Sequence, residues 1–178
     1  MPKQQISFIT DILLKRFDTY ITEINNKFGF IIAFNTFILG TLVIKLQDVS
    51  ALFSHPKILN LLPFIIFTIF FGITCSLFFA FKAIIPSLDS GNKNAEYHSL
   101  IFFGSIAQME QKTFISKIEN QSEDTLFEDL IFQSHCLAIC AHKKHMLIKY
   151  SIYSTFYGVL LPIVFMAFLK IIEYFVAP

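Results

Sequence analysis

The sequence predicts an all-α membrane protein with three transmembrane helices, long cytosolic helical extensions, an N-terminus inside the cell and a C-terminus outside. Of its 178 residues, 54% are hydrophobic and only 15% are charged, whereas soluble domains carry about 25% charged residues. Three long apolar runs contain no charged residue, and 11 of the 14 Lys and Arg residues fall on one predicted side of them. These observations exclude a soluble globular protein.

The composition also excludes other classes of protein. Six Gly, six Pro and three Cys fit neither a collagen-like chain nor a disulfide scaffold. The net charge of +1 lacks the basic excess of a nucleic-acid-binding surface. We therefore expect no direct nucleic-acid site.

The first element, residues 1–27, is predicted to be a cytosolic amphipathic helix. Apolar residues recur three or four apart with charged residues between them; they are Ile6, Ile9, Leu13, Phe17, Tyr20 and Ile24. We expect one long helix that runs into the first span and packs against other cytosolic helices. Lying flat on the membrane surface is the alternative.

The predicted spans are residues 28–44, 58–81 and 150–170. A helix needs about 20 apolar residues to cross a bilayer. The first run is shorter, but Lys27 and Lys45 flank it and can extend to the membrane surface. The lysine and arginine distribution places the N-terminus and residues 82–149 in the cytoplasm. The loop 45–57 and the tail 171–178 then face outward.

The cytosolic layer, residues 82–149, is predicted to be helical apart from two breaks. The second span is expected to end near Pro86, and residues 87–99 have loop chemistry. A helix is expected over 101–118, at least from Ser105. After a break, Ser122 is a candidate N-cap, and a second long helix is predicted from Thr125 into the third span.

Residues 135–145 raise the possibility of a zinc site, because two Cys and three His lie within them. Helix geometry argues against it, since the His side chains leave the helix on a face away from Cys136 and Cys140. The cysteine face also carries Phe132, Ile139, Leu147 and Tyr150, so we expect buried thiols on a core stripe and no metal.

No catalytic constellation is recognisable in the sequence. It lacks a G-x-S-x-G elbow, a phosphate-binding loop and a G-x-G-x-x-G motif. The single Arg, Arg16, is not followed closely by a His, unlike the pattern of small helical RNases. We therefore expect no enzyme activity and no catalytic residues.

Uncharged polar residues within the predicted spans are the candidates for lining a pore: Asn35, Thr36, Ser151, Ser154 and Thr155. An amide in lipid must face another helix or water. These residues therefore either join helices or line a pore in an assembly. Three spans cannot enclose a wide channel, so conduction requires a homo-oligomeric ring.

A further set of basic residues could receive a cytosolic signal or ligand. These candidates lie at the predicted cytosolic ends of the spans and on the long helix: Lys27, His142, Lys143, His145 and Lys149. A ligand bound there would act on helices that continue into the membrane. The sequence fixes neither the ligand nor the copy number.

Three ordered motifs resemble the transmembrane effectors of Pycsar antiphage defence. They are ITEINNKFGFIIAFNTFILG entering the first span, AFKAIIPSL followed by IFFGSI leaving the second, and EDLIFQSHCLAICAHKKHMLIKYSIY entering the third. The chain departs from the family at Asn25 and Asn26, where the family has an acidic residue before the Lys.

The resemblance implies an abortive-infection effector that oligomerises in the bacterial inner membrane and depolarises it after a phage-triggered signal. The implied activator is a cyclic pyrimidine nucleotide, although no cyclic-nucleotide-binding β-barrel is predicted. Two alternatives remain. One is an accessory membrane pore of type VI CRISPR loci, activated by an RNA-guided nuclease complex. The other is a non-conducting adaptor that docks a cytosolic partner.

Overall fold

A computed structural model of the protein describes residues 6–85 and 99–176, and these residues contain helices and connecting turns but no strand. A π-helical segment, Phe8–Leu14, leads directly into α1. The α-helices are α1 (Lys15–Ile44), α2 (Leu46–Ala51), α3 (Pro56–Ile84), α4 (Phe103–Ile106), α5 (Gln111–Glu119), α6 (Glu123–Thr155) and α7 (Leu161–Val176). A second π-helical segment, Phe156–Leu160, joins α6 to α7.

Three helical stretches are long and apolar enough to cross a membrane within the described part of the chain. They are Phe8–Ile44, Pro56–Ile84 and Glu123–Phe175. The predicted all-α membrane fold with three spans is therefore confirmed. The orientation of the termini and the domain boundaries remain predictions.

The described residues separate into two compact units. The first draws on residues 6–23 and 99–144, and the second on residues 24–85 and 145–176. The second unit contains the predicted spans, and the first contains most of the predicted cytosolic layer.

The second unit has two apolar clusters between its helices. One contains Ile24, Phe28, Ala80, Ala83 and Ile148. The other contains Leu42, Ile65, Ile69, Ile73 and Val159. Each cluster draws on α1, on α3 and on the helix that includes the third span. Packing of this kind holds transmembrane helices together, since lipid supplies no hydrophobic drive for association.

Local sequence explains where α3 begins. His55 has an extended backbone, and its Nδ1 atom accepts a hydrogen bond from the Lys57 N–H at 3.3 Å. Pro56 occupies the first helical position, where its missing N–H leaves no hydrogen bond unmade. The helix ends at Ile84, close to the end predicted from Pro86.

In the first unit, Asp129 of α6 holds the chain that precedes α4. Its buried carboxylate accepts hydrogen bonds from Ser99 Oγ at 3.0 Å and from the Leu100 N–H at 2.9 Å. Ser99 Oγ accepts in turn from the N–H groups of Ile101 and Phe102. One carboxylate therefore organises the turn leading into α4.

The predicted N-cap of the long helix is confirmed. Ser122 Oγ accepts a hydrogen bond from the Thr125 N–H at 3.2 Å, and Thr125 Oγ1 accepts one from the Ser122 N–H at 3.1 Å. From Glu123 the chain is helical to Val176 through the π-helical segment. The long helix predicted to enter the third span is therefore present.

Two predictions about shorter segments need correction. The single helix expected over 101–118 is instead α4 and α5, because the backbone of Glu110 is extended (ψ 144°) and starts a new helix. The loop 45–57 contains the short helix α2, which follows α1 after a break at Lys45. Nearly all of the loop predicted at 87–99 lies outside the described residues.

Candidate functional site

A cluster of polar side chains lies between the helices of the second unit, around Asn35. The Asn35 side chain is fully buried. Its Nδ2 atom donates to Ser76 Oγ at 3.2 Å, to Thr155 Oγ1 at 3.0 Å and to the carbonyl oxygen of Ile31 at 2.9 Å. One amide thus joins α1 to α3 and α6, which satisfies the requirement that an amide in lipid face another polar group.

Ser76 lies at the centre of this cluster. Its Oγ atom is 2.9 Å from Ser151 Oγ and 2.8 Å from Thr155 Oγ1, and it donates to the Ser151 carbonyl oxygen at 3.1 Å. Ser151 Oγ donates in return to the Ser76 carbonyl oxygen at 2.9 Å. We call Asn35, Ser76, Ser151 and Thr155 the mid-span cluster.

The mid-span cluster leaves one acceptor unsatisfied. The Oδ1 atom of Asn35 is buried and has no hydrogen-bond partner among the described residues. A buried polar atom without a partner costs about 1–3 kcal/mol. The cluster as it stands is therefore less stable than one in which this oxygen also accepts a hydrogen bond.

Beside the cluster, the backbones of α3 and the third span approach each other very closely. A Cβ atom added to Gly72 would lie 2.6 Å from the Cα of Gly158, and one added to Gly158 would lie 2.5 Å from the Cα of Gly72. Ser154 Oγ also donates to the Gly72 carbonyl oxygen at 3.0 Å. Small residues permit this approach, which brings Ser76 within reach of Ser151.

The predicted pore-lining residues thus divide into two groups. The first group makes hydrogen bonds between helices of a single chain and consists of Asn35, Ser151, Ser154 and Thr155. Thr36 is exposed and makes no side-chain hydrogen bond within residues 6–85 and 99–176. For the first group, these contacts agree with the alternative that the residues join helices to one another. A role in lining a pore remains a prediction for all five residues.

Sequence reasoning missed Ser76 and Gly72. Ser76 ends a short stretch of the second span that also contains Thr74 and Cys75. This interruption of the apolar run is the feature of the sequence that could have identified Ser76. Gly72 lies one helical turn before Ser76. Together they form a small-residue repeat, a pattern associated with close helix contacts in membranes.

The predicted signal-receiving residues lie on the surface. His142 and Lys143 are exposed in the first unit, and Lys27, His145 and Lys149 are exposed in the second. The Nζ atom of Lys149 lies 5.7 Å from the ring centre of Tyr153. In neither unit does a hydrogen bond or ion pair join two of these residues, as far as the chain is described. Their role in binding a signal remains a prediction.

The expected core stripe of thiols on α6 is wrong in part. Cys136 and Cys140 are half-buried, as are Phe132 and Leu147 on the same face. Ile139 and Tyr150, also predicted for this stripe, are 42% and 46% exposed. In the first unit, the buried residues of α6 are instead Asp129, Leu130, Gln133 and Ser134. Asp129 on this covered face bonds to the turn before α4, a polar contact that the hydrophobic pattern of the sequence did not predict. No group of three metal-ligating side chains converges within the described residues.

A second polar cluster, which we call the Glu173 latch, lies at the end of α7. It consists of Lys170 and Glu173 with the chain from Leu52 to His55. The buried carboxylate of Glu173 accepts hydrogen bonds from the N–H groups of Ser54 and His55, each at 2.6 Å. Its other oxygen is 3.0 Å from Lys170 Nζ, which also donates to the Leu52 carbonyl oxygen. The latch ties the α2–α3 connection to the third span.

The comparisons with known proteins agree with the motifs in the sequence. Residues 10–171 match the PycTM family, described as the Pycsar effector protein domain. The chain is 30% identical over 153 residues to the Pycsar effector protein EcPycTM of Escherichia coli, and the match covers 81% of this chain and 79% of that protein. No solved structure matches the chain.

Proposed function

Because the chain belongs to the PycTM family of Pycsar effectors, we propose that it oligomerises in the bacterial inner membrane and depolarises it when a cytosolic infection signal arrives. Membership makes the chain a membrane effector of antiphage defence. The proposal concerns how the effector acts. The observation that supports this mechanism is the mid-span cluster, a group of polar side chains between helices of membrane-spanning length.

Several protomers are required for this mechanism. Asn35, Ser76 and Ser151 are fully buried and hydrogen-bonded to neighbouring helices, so the centre of one protomer is filled by side chains. A conduit then needs a ring of protomers, with the mid-span cluster turned toward the shared axis. The unsatisfied Asn35 Oδ1 favours this step, because a hydrated pore would supply its missing donor.

A cyclic pyrimidine nucleotide is the proposed activator. A phosphodiester is an anion, and basic groups bind it well; the exposed Lys27, His142, Lys143, His145 and Lys149 are candidates to receive it. No cofactor and no catalytic step are part of the proposal. The match to the Pycsar family favours this activator over an RNA-guided nuclease complex, which remains the alternative signal.

Ion flux through reconstituted protein tests the proposal. The full-length chain in liposomes with a potassium gradient is exposed to cyclic UMP or cyclic CMP, and a potential-sensitive dye reports the membrane potential. We expect the potential to collapse with one of these nucleotides. We expect Asn35→Leu to reduce the flux and Thr68→Val to leave it unchanged, because Thr68 is exposed and bonded only to its own helix at the Phe64 carbonyl.

Two results would contradict the proposal. An intact potential with either nucleotide, in liposomes that contain folded protein, would remove direct activation by that ligand class. If the potential also survives in cells during phage infection, conduction itself is wrong. A stable complex formed through residues 105–149 without leakage would then support the adaptor.

A further inference from the structure

A cavity lies where the start of α3 meets the end of α7. It has a volume of about 880 Å³. Its apolar wall includes Ile58, Leu169 and Ile172, and its polar wall includes Lys57, Lys170 and Tyr174. The cavity is therefore amphipathic, with its two kinds of surface provided by the same two helices.

The position of these residues relative to the spans indicates how the cavity is oriented. Ile58 begins the second predicted span and Leu169 lies within the third, whereas Lys57 and Lys170 mark the ends of the apolar runs. Ile58 and Leu169 thus fall within the predicted spans, at the depth expected for hydrocarbon chains, whereas Ile172 lies just beyond Lys170. The basic wall lies at the depth of lipid head groups, where Lys and Tyr side chains typically sit.

The charges of the polar wall favour an anionic occupant. Lys170 is paired with Glu173, whose carboxylate also accepts from the N–H groups of Ser54 and His55. Lys57 is exposed and makes no ion pair in the residues that the structure describes. Because the charges of Lys170 and Glu173 offset each other, the positive charge of Lys57 remains available to a ligand.

We propose that this cavity binds an anionic phospholipid, with the head-group phosphate near Lys57 and an acyl chain against Ile58 and Leu169. A free phosphate would share the contact with Lys57 but would leave the apolar part of the cavity unfilled. The volume of the cavity and its apolar wall fit a lipid. The bound lipid would contact the Glu173 latch, because Lys170 and Glu173 line the same cavity. The proposal depends on the membrane spans and not on conduction.

Native mass spectrometry of the purified full-length protein tests the proposal. The protein in detergent is titrated with phosphatidylglycerol, with phosphatidylcholine, and with inorganic phosphate. We expect phosphatidylglycerol to bind more tightly than phosphatidylcholine. We expect Lys57→Gln to weaken phosphatidylglycerol binding roughly fivefold, since a lysine near lipid head groups contributes about 1 kcal/mol. Phosphatidylcholine binding should change little.

Lys45→Gln is the matched control, because Lys45 lies on the same predicted side but is already paired with Asp48 at 2.8 Å. It should leave phosphatidylglycerol binding unchanged. Ile172→Trp is a second variant that fills the apolar wall without removing a charge, and it should also weaken phosphatidylglycerol binding. Equal affinity in Lys57→Gln and the unaltered protein would overturn the proposal. Displacement of the lipid by inorganic phosphate would assign the site to free phosphate instead.

Discussion

The Nδ2 atom of Asn35 donates a hydrogen bond to Oγ1 of Thr155 at 3.0 Å, although the two residues are 120 positions apart in the sequence. Both also contact Ser76. The hydrogen bonds of the mid-span cluster therefore connect all three helices that contain the predicted spans. This connection has consequences for stability that can be measured separately from ion flux.

Asn35→Ala should lower the free energy of unfolding by about 1–2 kcal/mol, because hydrogen bonds between transmembrane helices contribute about 0.6–1.7 kcal/mol each and one buried acceptor is already unsatisfied. Unfolding of the full-length protein with increasing SDS, followed by circular dichroism, measures the change. Thr36→Val is the control and should stay within about 0.5 kcal/mol. Equal effects of the two substitutions would contradict the interhelical role of Asn35.

Gly72→Ala and Gly158→Ala should each destabilise the protein by about 1–3 kcal/mol, because the added methyl group overlaps the opposite backbone. The temperature at which each full-length variant aggregates in detergent ranks the variants by stability. Gly40→Ala is the matched control, since a Cβ atom at Gly40 meets nothing within 4 Å, and it should be neutral or slightly stabilising. If Gly72→Ala is as stable as Gly40→Ala, the close approach is wrong.

Glu173→Ala should release the connection between α2 and α3. The N–H groups of Ser54 and His55 lose their acceptor, and Lys170 loses its ion pair. Hydrogen bonds to charged groups contribute about 1.5–3 kcal/mol, so exchange of these two amides should accelerate roughly tenfold or more. Hydrogen–deuterium exchange of the peptide that contains them provides the measurement.

Asp48→Ala is the control for this experiment, because Asp48 forms an exposed ion pair with Lys45 nearby. It should leave exchange of Ser54 and His55 unchanged, since exposed pairs contribute little. Unaltered exchange in Glu173→Ala would show that the Glu173 latch does not hold the connection between α2 and α3.

Asp129→Ala should loosen the turn before α4 in the first unit. The Leu100 N–H and the Ser99 hydroxyl lose a buried acceptor, so amide exchange over residues 99–102 should rise roughly tenfold or more. Glu128→Ala removes an exposed carboxylate from the preceding position and should have no such effect. A similar response in both variants would indicate a general loss of helix stability.

Features that depend on local sequence were predicted well. The lengths of the apolar runs predicted three spans, and Ser122 forms the predicted N-cap. The match to the PycTM family confirms the resemblance seen in three ordered motifs. The division of residues 101–118 into two helices was not predicted, because the sequence there contains no proline and its break depends on the extended backbone at Glu110.

The candidate site was predicted only in part. Asn35, Ser151 and Thr155 were recognised as polar residues in apolar surroundings, which needs only the sequence. Ser76, at the centre of the cluster, was not recognised. A serine can bond to its own helix anywhere in a span, so its importance depends on which neighbour faces it.

The sequence by itself determined that this chain has three apolar helices of membrane-spanning length, since helix formation and burial in lipid depend on residues close together along the chain. Only the tertiary structure decided that Asn35 meets Thr155, that Gly72 meets Gly158, and that Glu173 holds the chain at Ser54. Those pairs are set by how each helix is rotated about its axis and where it crosses its neighbours. That choice depends on packing across all three helices at once.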